Sequence, residues 1–427
     1  MEIPRCYNKG ILYFGIVALA VSLFLILFSD KSMLPKMKSI AITEKITKNS
    51  TLLLTMNSTA TAISATKNSS KHQHENASWI VNGSSDFNLP FYIYDNGLDW
   101  SNATFQNTSG YWMVFDDTEF LNYKHSDDYW LLSHARKHPM RTMDPAAAKL
   151  FFVPTLLSLW SFMDLMVEAP SGLCVDGVCG IQLLQQADRL LHESPWFQRN
   201  QGRDHIIVDT HWKKSPLFDA NKSSLSSCNA ISFENRVPIR WHALMGGRVN
   251  IPSFYVGRPC DNEALDGEKK DFALVATLKG WDANFQSRSN VCQWLKNGQN
   301  YSVSHCGPGP QCPALGQARY GFHLRGDTWG SNRLMDTLLS GVVPLIESLE
   351  QIKILPDFVQ WLDVVYLVDV SNETNFHASM QALLAKSDAE YQQKLANITM
   401  QRGTFDHRKE RQFDLYMKRF AQKLEFE

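Results

Sequence analysis

From residue 91 onward, short apolar runs alternate with stretches of helical period, and no other feature narrows the possible folds as far. FYIYD (91–95), LFFV (150–153), HIIVD (205–209), DFALVAT (271–277), GVVPLI (341–346) and WLDVVYLV (361–368) read as strands. IQLLQQADRLLHESPWF (181–197) sets Leu183, Leu184, Ala187, Leu190 and Leu191 at helical spacing ahead of Pro195. MDPAAAKLFFVP (143–154) reads as one or two helical turns, with Asp144 as N-cap and Pro145 at the first helical position, feeding a buried strand. Runs that are apolar throughout belong to strands covered on both faces, and helices between them are the crossovers that parallel strands need. The fold class is therefore α/β. A chain of 427 residues has room for about two such domains, and the polar, turn-rich 255–270 marks their meeting point.

ILYFGIVALAVSLFLILF (11–28) is uncharged and would span roughly 27 Å as a helix, close to the hydrocarbon thickness of a bilayer. It reads as a membrane anchor. A cleaved signal peptide is the rival, but the run is long for one and Ser29-Asp30-Lys31 lacks a small-residue cleavage site. Basic residues flank both ends, so orientation rests on the Asn-x-Ser/Thr sequons. These occur at Asn49, Asn57, Asn68, Asn76, Asn82, Asn102, Asn107, Asn221, Asn300, Asn372 and Asn397, all beyond the apolar run. They favour a short cytosolic tail and a lumenal bulk. Residues 29–87 are rich in Ser, Thr, Asn and Lys, with few large apolar residues, and read as a flexible, glycosylated stem.

Eight cysteines include seven beyond the anchor, at 174, 179, 228, 260, 292, 306 and 312. Cys174 with Cys179 and Cys306 with Cys312 are spaced to close small loops, although connectivity is not readable from sequence. Their spacing does not suit zinc. A formal net charge of −1 leaves no basic surplus for a phosphate backbone, which excludes nucleic acid as a partner.

YGFHLRGDTWGSNRLMDTLLSGVVPLIES (320–348) carries the densest chemistry. A strand and glycine-containing turn precede a helix that Ser331 or Asn332 caps and Gly341 ends. Arg333 then falls in the first helical turn, where a cation opposes the helix dipole unless an anion compensates. A diphosphate held by the helix N-terminus, Arg333 and Arg325 would do so. Asp336, one turn deeper on about the same face, could accept ribose hydroxyls. The other reading pairs Arg333 with Asp336 and Arg325 with Asp327 as surface ion pairs of little worth. No Walker-type phosphate loop occurs.

GFHLRGDTWGSNRLMDTLLSGVVPLI resembles the C-terminal signature of the exostosin-like glycosyltransferases, family 47. FYIYD, RTMDPAAAKLFFVP (141–154) and SPWFQRNQGRDHIIVDTHW (194–212) are similar to further blocks of that family, in the same order. The resemblance implies a GT-B architecture: two Rossmann-like domains facing a cleft, preceded by a single transmembrane helix and a flexible stem. Its expected boundaries are a cytosolic tail over 1–10, the anchor over 11–28, the stem over 29–87, an N-terminal acceptor-side domain over 88–262, and a C-terminal nucleotide-sugar-binding domain with a terminal helix over 263–427.

It implies a type II membrane protein of the Golgi or endoplasmic reticulum that transfers a hexosyl or pentosyl group, with inversion, to a glycan or glycoprotein. The donor is a nucleotide sugar, expected to be a UDP-sugar. Apart from the resemblance, the stem or an unpaired cysteine leaves oligomers with itself or with other transferases open. The resemblance puts Arg333 and Asp336 at the donor-binding positions, with Ser331 and Asn332 lining the turn, and Arg325 joins them. It also matches Gly202, Arg203, Asp204, His205 and His211. Asp209 and His211 are the candidates for the base that takes the acceptor proton. For Arg203, Asp204 and His205 a buried network pinning the loop is the stronger reading. No cofactor and no metal are required, because arginines serve the diphosphate. Two positions depart from the family pattern: Trp212, where many members carry an acidic residue, and Asp336, where many carry glutamate. The alternative class is a non-catalytic lumenal protein of the same fold that binds glycan or a sister transferase.

Overall fold

The structure, a computed structural model, describes residues 87–94, 104–106, 112–114, 124–156, 173–175, 178–179, 181–209, 223–232, 248–260, 271–273, 286–298, 301–303, 305–306, 312–316, 318–326 and 328–426. The chain divides into two compact units, 1–73 and 74–427, and every described residue belongs to the second. The expected anchor at 11–28 lies outside the described residues; among those described, no helix is long and apolar enough to cross a membrane. Phe87, counted above with the stem, is buried, with its ring 6.0 Å from Phe91 and 5.7 Å from His138.

Two sheets are parallel throughout. The first contains β1 (Phe91–Ile93), β4 (Leu150–Val153), β7 (His205–Asp209), β8 (Asn229–Ser232) and β9 (Asn250–Pro252), side by side in that order. The second contains β10 (Asp271–Ala273), β11 (Ala318–His323), β12 (Val343–Ile346) and β13 (Tyr366–Leu367), also in chain order. Among the described strands neither sheet shows the reversal of order that marks a Rossmann switch point. The short β2 (Thr104–Gln106), β3 (Trp112–Val114), β5 (Leu173–Val175) and β6 (Val178–Cys179) make a separate antiparallel sheet.

The helices are α1 (Asp127–Lys137), α2 (Ile181–Glu193), α3 (Pro195–Asn200), α4 (Gln286–Asn297), α5 (Asn332–Leu339), α6 (Glu373–Leu384), α7 (Asp388–Phe405) and α8 (Arg411–Lys423), beside single turns. One hydrophobic cluster runs through both parallel sheets, from Phe91, Phe152 and Ile206 to Phe322 and Leu345. α8 is part of it. This helix, placed above with the second domain, packs on the first sheet, with Phe413 5.5 Å from Phe91 and 5.8 Å from Phe152. The Tyr416 hydroxyl accepts the Phe254 N–H at 3.0 Å and lies 3.3 Å from the Pro252 carbonyl. His138 Nδ1 accepts the Met140 N–H at 3.1 Å, which leaves Nε2–H to donate to Asp414 at 2.7 Å.

Local expectations fail where the chain is too short to satisfy them. The helix expected at 143–149 is a turn: Asp144 accepts the Ala146 N–H at 2.9 Å, and by Lys149 the backbone already bonds Pro90. Four residues cannot offset helix nucleation. The run at 361–368 is a 3₁₀ turn at Trp361–Asp363 before the two-residue β13. Cys306 pairs with Cys292 on α4, not with Cys312.

His407, just before α8, is fully buried, and neither ring nitrogen has a hydrogen-bond partner among the described residues; burial lowers its pKa to about 3. In the unfolded chain a histidine titrates near 6.5. Between these values the unfolded chain takes up a proton that the fold refuses, so stability is complete above pH ~6.5 and falls as pH drops towards 3. The midpoint of thermal unfolding should fall from pH 7 to pH 5, and less steeply in His407→Leu. Equal slopes would reject this assignment.

Candidate functional site

Two glycines set the position of α5. A Cβ on Gly321 of β11 would stand 2.8 Å from Thr337 Cγ2, and one on Gly257 would stand 2.5 Å from Met335 Cβ and 2.8 Å from the Met335 carbonyl carbon. The helix therefore lies in close contact with its strand on one side and with the 253–260 segment on the other. Along that segment the Arg258 N–H donates to Asp336 Oδ1 at 2.6 Å and the Cys260 N–H to Ser340 Oγ at 3.1 Å.

The helix forms where its sequence says it should. Ser331 is the N-cap, extended at φ −167°, with Oγ accepting the Arg333 N–H at 3.3 Å. Leu334, Met335, Leu338 and Leu339 are buried, and Gly341 ends the helix at φ +68°. Its N-terminus opens at the carboxyl edge of the second sheet, just past His323. Parallel α/β sheets bind ligands at that edge.

Arg333 is partly buried there, and its Nε has no hydrogen-bond partner among the described residues. Burial disfavours its charge, while nearby Asp336 favours it. Asp336 is not its ion-pair partner among the described residues: Oδ1 is held by Arg258, and Oδ2 accepts Asn332 Nδ2–H at 3.0 Å. Burial raises the Asp336 pKa to about 6, against the Arg258 N–H, the two arginine charges and Asn332. The Arg325 guanidinium lies 4.5 Å from the centre of the Trp329 ring, a cation–π contact, and its backbone N–H donates to Glu347. Asp327 lies outside the described residues.

Sequence reasoning missed Glu347, Gln351, Arg288 and His323. Glu347 directly follows β12, and burial raises its pKa. The buried Gln351 ties the edge together: Oε1 accepts the Glu347 and Ser348 N–H groups at 2.8 and 3.2 Å, while Nε2 donates to His323 O at 2.9 Å. Arg288 of α4, also buried, donates to Leu324 O at 3.0 Å. His323 Nδ1 is buried and unpartnered among the described residues; burial, then Arg288 and Arg333, lower its pKa to about 3, so it stays neutral. Only a glutamate closing a strand could have been suspected beforehand; Gln351 reads in sequence as an ordinary surface residue. The site thus offers arginine charge and an open helix end to an anion, beside two carboxylates suited to hydroxyl groups.

At the first sheet, Asp204 and His205 stand at the amino end of β7, the opposite edge from Asp209. Asp204 Oδ1 bonds His205 Nδ1 at 2.7 Å, and Oδ2 takes Arg199 at 3.2 Å and Asn200 at 2.5 Å. Burial would raise the Asp204 pKa, but these bonds bring it below the ordinary value. His205 stacks on Phe151 at 4.5 Å and reaches the Tyr94 hydroxyl at 3.2 Å. This is a network that pins the strand. The backbone of Asp209 ends β7 at the carboxyl edge; its side chain and all of His211 lie outside the description.

Residues 85–383 match the model of the Exostosin GT47 domain. No curated protein matches the chain. Among solved structures, the chain is similar to one titled "Crystal structure of GtfA/B complex", with a TM-score of 0.33 and 10% identity over 59% of this chain; it spans 62% of that chain. It is similar also to a glycotransferase of kitacinnamycin, with a TM-score of 0.27 and 13% identity over 69% of this chain and 82% of that one. Likenesses this slight carry no argument.

Gly257→Ala would force α5 and the 253–260 segment apart. We expect a stability loss of about 1–3 kcal/mol by denaturant titration. Wild-type stability in this variant would show that the contact does not hold the helix.

Proposed function

The chain belongs to the exostosin GT47 family of glycosyltransferases, and from that premise we propose that it is an inverting transferase of the secretory pathway. It moves a hexosyl or pentosyl group from a nucleotide sugar, taken as a UDP-sugar, to a glycan or glycoprotein. One observation carries this: an arginine in the first turn of α5, its Nε unpartnered among the described residues, where a cation costs about 0.3–1 kcal/mol in the helix field unless an anion offsets it. A diphosphate does so.

On this reading the two parallel sheets are the cores of GT-B domains facing a cleft, 88–262 on the acceptor side and 263–427 on the donor side. Arg333, Arg325, Ser331 and Asn332 hold the diphosphate, and Asp336 accepts ribose hydroxyls through the lone pairs that Arg258 and Asn332 leave open. The acceptor oxygen attacks the anomeric carbon from the face opposite the diphosphate, and its proton passes to Asp209 or His211. The bond from that carbon to the diphosphate oxygen breaks, its electron pair leaves with the nucleotide, and Arg333 and the helix end stabilise the charge. Because these groups supply the positive charge, the reaction needs no divalent ion. The apolar run at 11–28 and the sequons beyond it support a single-pass type II protein with the site in the lumen of the Golgi or endoplasmic reticulum.

A secreted form lacking the first 73 residues should bind one class among UDP- and GDP-sugars in EDTA, and Arg333→Ala should weaken that binding roughly ten- to a hundredfold. A folded protein that binds none would overturn the reading in favour of the non-catalytic partner.

Asp336 accepts hydroxyl groups best when ionised, and its pKa is raised to about 6. Donor affinity should therefore rise from pH 5 to pH 7 in the wild type and stay flat in Asp336→Asn. An equal rise in both would remove Asp336 from the site.

A further inference from the structure

We propose that Asn372 carries an N-linked glycan and that Asn397 carries none. The inference rests on the lumenal placement above. Both residues head intact sequons, Asn372-Glu373-Thr374 and Asn397-Ile398-Thr399, so sequence alone treats them alike. Their surroundings differ.

All three residues of the first sequon are exposed. Asn372 is extended, at φ −156° and ψ 169°, just before α6. Its Oδ1 accepts the Asn375 N–H at 2.9 Å, while its nitrogen meets only the Ser371 hydroxyl, at 3.4 Å. Glycosylation leaves the oxygen and one N–H in place, so the helix cap survives it. The second sequon lies inside the 18-residue α7. There Asn397 Nδ2 donates to Asp363 O at 3.2 Å, Oδ1 accepts from Gln393 at 3.1 Å, Ile398 is buried, and the Thr399 hydroxyl donates to Leu395 O at 2.9 Å. A sugar on that nitrogen would replace one of its two N–H groups directly beside the 3.2 Å contact that joins α7 to the 361–363 turn.

The step transfers an oligosaccharide from a lipid-linked diphosphate donor. The Asn372 nitrogen bonds the anomeric carbon and loses a proton to a base of the modifying enzyme, while the carbon–oxygen bond breaks and its electron pair leaves with the lipid diphosphate. Asn372 lies five residues beyond β13, which ends at the same carboxyl edge of the second sheet as β11.

The test uses the full chain made in eukaryotic cells, released from its glycans by peptide amidase in ¹⁸O-water and mapped by mass spectrometry. The heavy aspartate label is expected at Asn372 and absent at Asn397; Thr374→Ala should remove one step of gel mobility and Thr399→Ala none. Label at a stem sequon such as Asn57 without label at Asn372 would overturn this proposal alone. No label anywhere would overturn the lumenal reading with it, and label at Asn397 would overturn the second half.

Discussion

The contact of α5 with two glycines is the constraint on which the candidate site depends. Gly321 and Gly257 leave no room for a Cβ against Thr337 and Met335, so strand, helix and the 253–260 segment meet with little slack. Everything at the carboxyl edge inherits its position from this. Ser331 and Arg333 are placed by the helix, Asp336 is reached by the Arg258 N–H, and the far end of the helix is fixed at Ser340 by the Cys260 N–H. A looser contact would leave the same residues with an undefined geometry, and the proposed anion site, built of two arginines and a helix end, has little else to define it.

The second restraint is polar. Gln351 bonds both loops that border the helix start, and the Arg325 N–H bonds Glu347, so the turn after β11 and the turn after β12 move as one piece. α8 extends the order to the first sheet. Its aromatic residues enter the same hydrophobic cluster, and Tyr416 caps backbone groups at 252–254. The segment that touches α5 is thus held at its other end by the last helix of the chain.

What could be read beforehand follows from how local each cause is. α5 was legible in full, because its cap, apolar face and terminal glycine all lie within eleven residues, 331–341. Most of the parallel strands were legible as apolar runs, but β8 and β9 were not, because Asn229–Ser232 and Asn250–Pro252 are short and open on asparagine; the Asp204–His205 network was anticipated as structure. Asp336 was found, but its ties were not: the Arg258 donor is 78 residues away and is a backbone group, on which side-chain chemistry leaves no trace. Gln351 and Arg288 were invisible for a related reason, since a buried polar residue is recognisable only once its partners surround it. The Cys292–Cys306 bridge shows the limit of short spacing as a guide, since a helix brought a more distant cysteine nearer than the sequence neighbour.

The site is costly to the fold in a consistent direction. Asp336 and Glu347 are both harder to ionise than free carboxyls, Arg333 is harder to protonate, and His323 is kept neutral beside two arginines. A structure selected for stability alone would pair these charges or replace them with apolar side chains. Here Asp336 instead turns to a backbone N–H and an amide, leaving Arg333, one helical turn away, without a direct carboxylate contact among the described residues. Separating the two charges keeps the arginine available to an anion and keeps the carboxylate's remaining lone pairs available to hydroxyl groups. A direct salt bridge would occupy both at once, so the unfavourable arrangement is the one that suits the proposed donor.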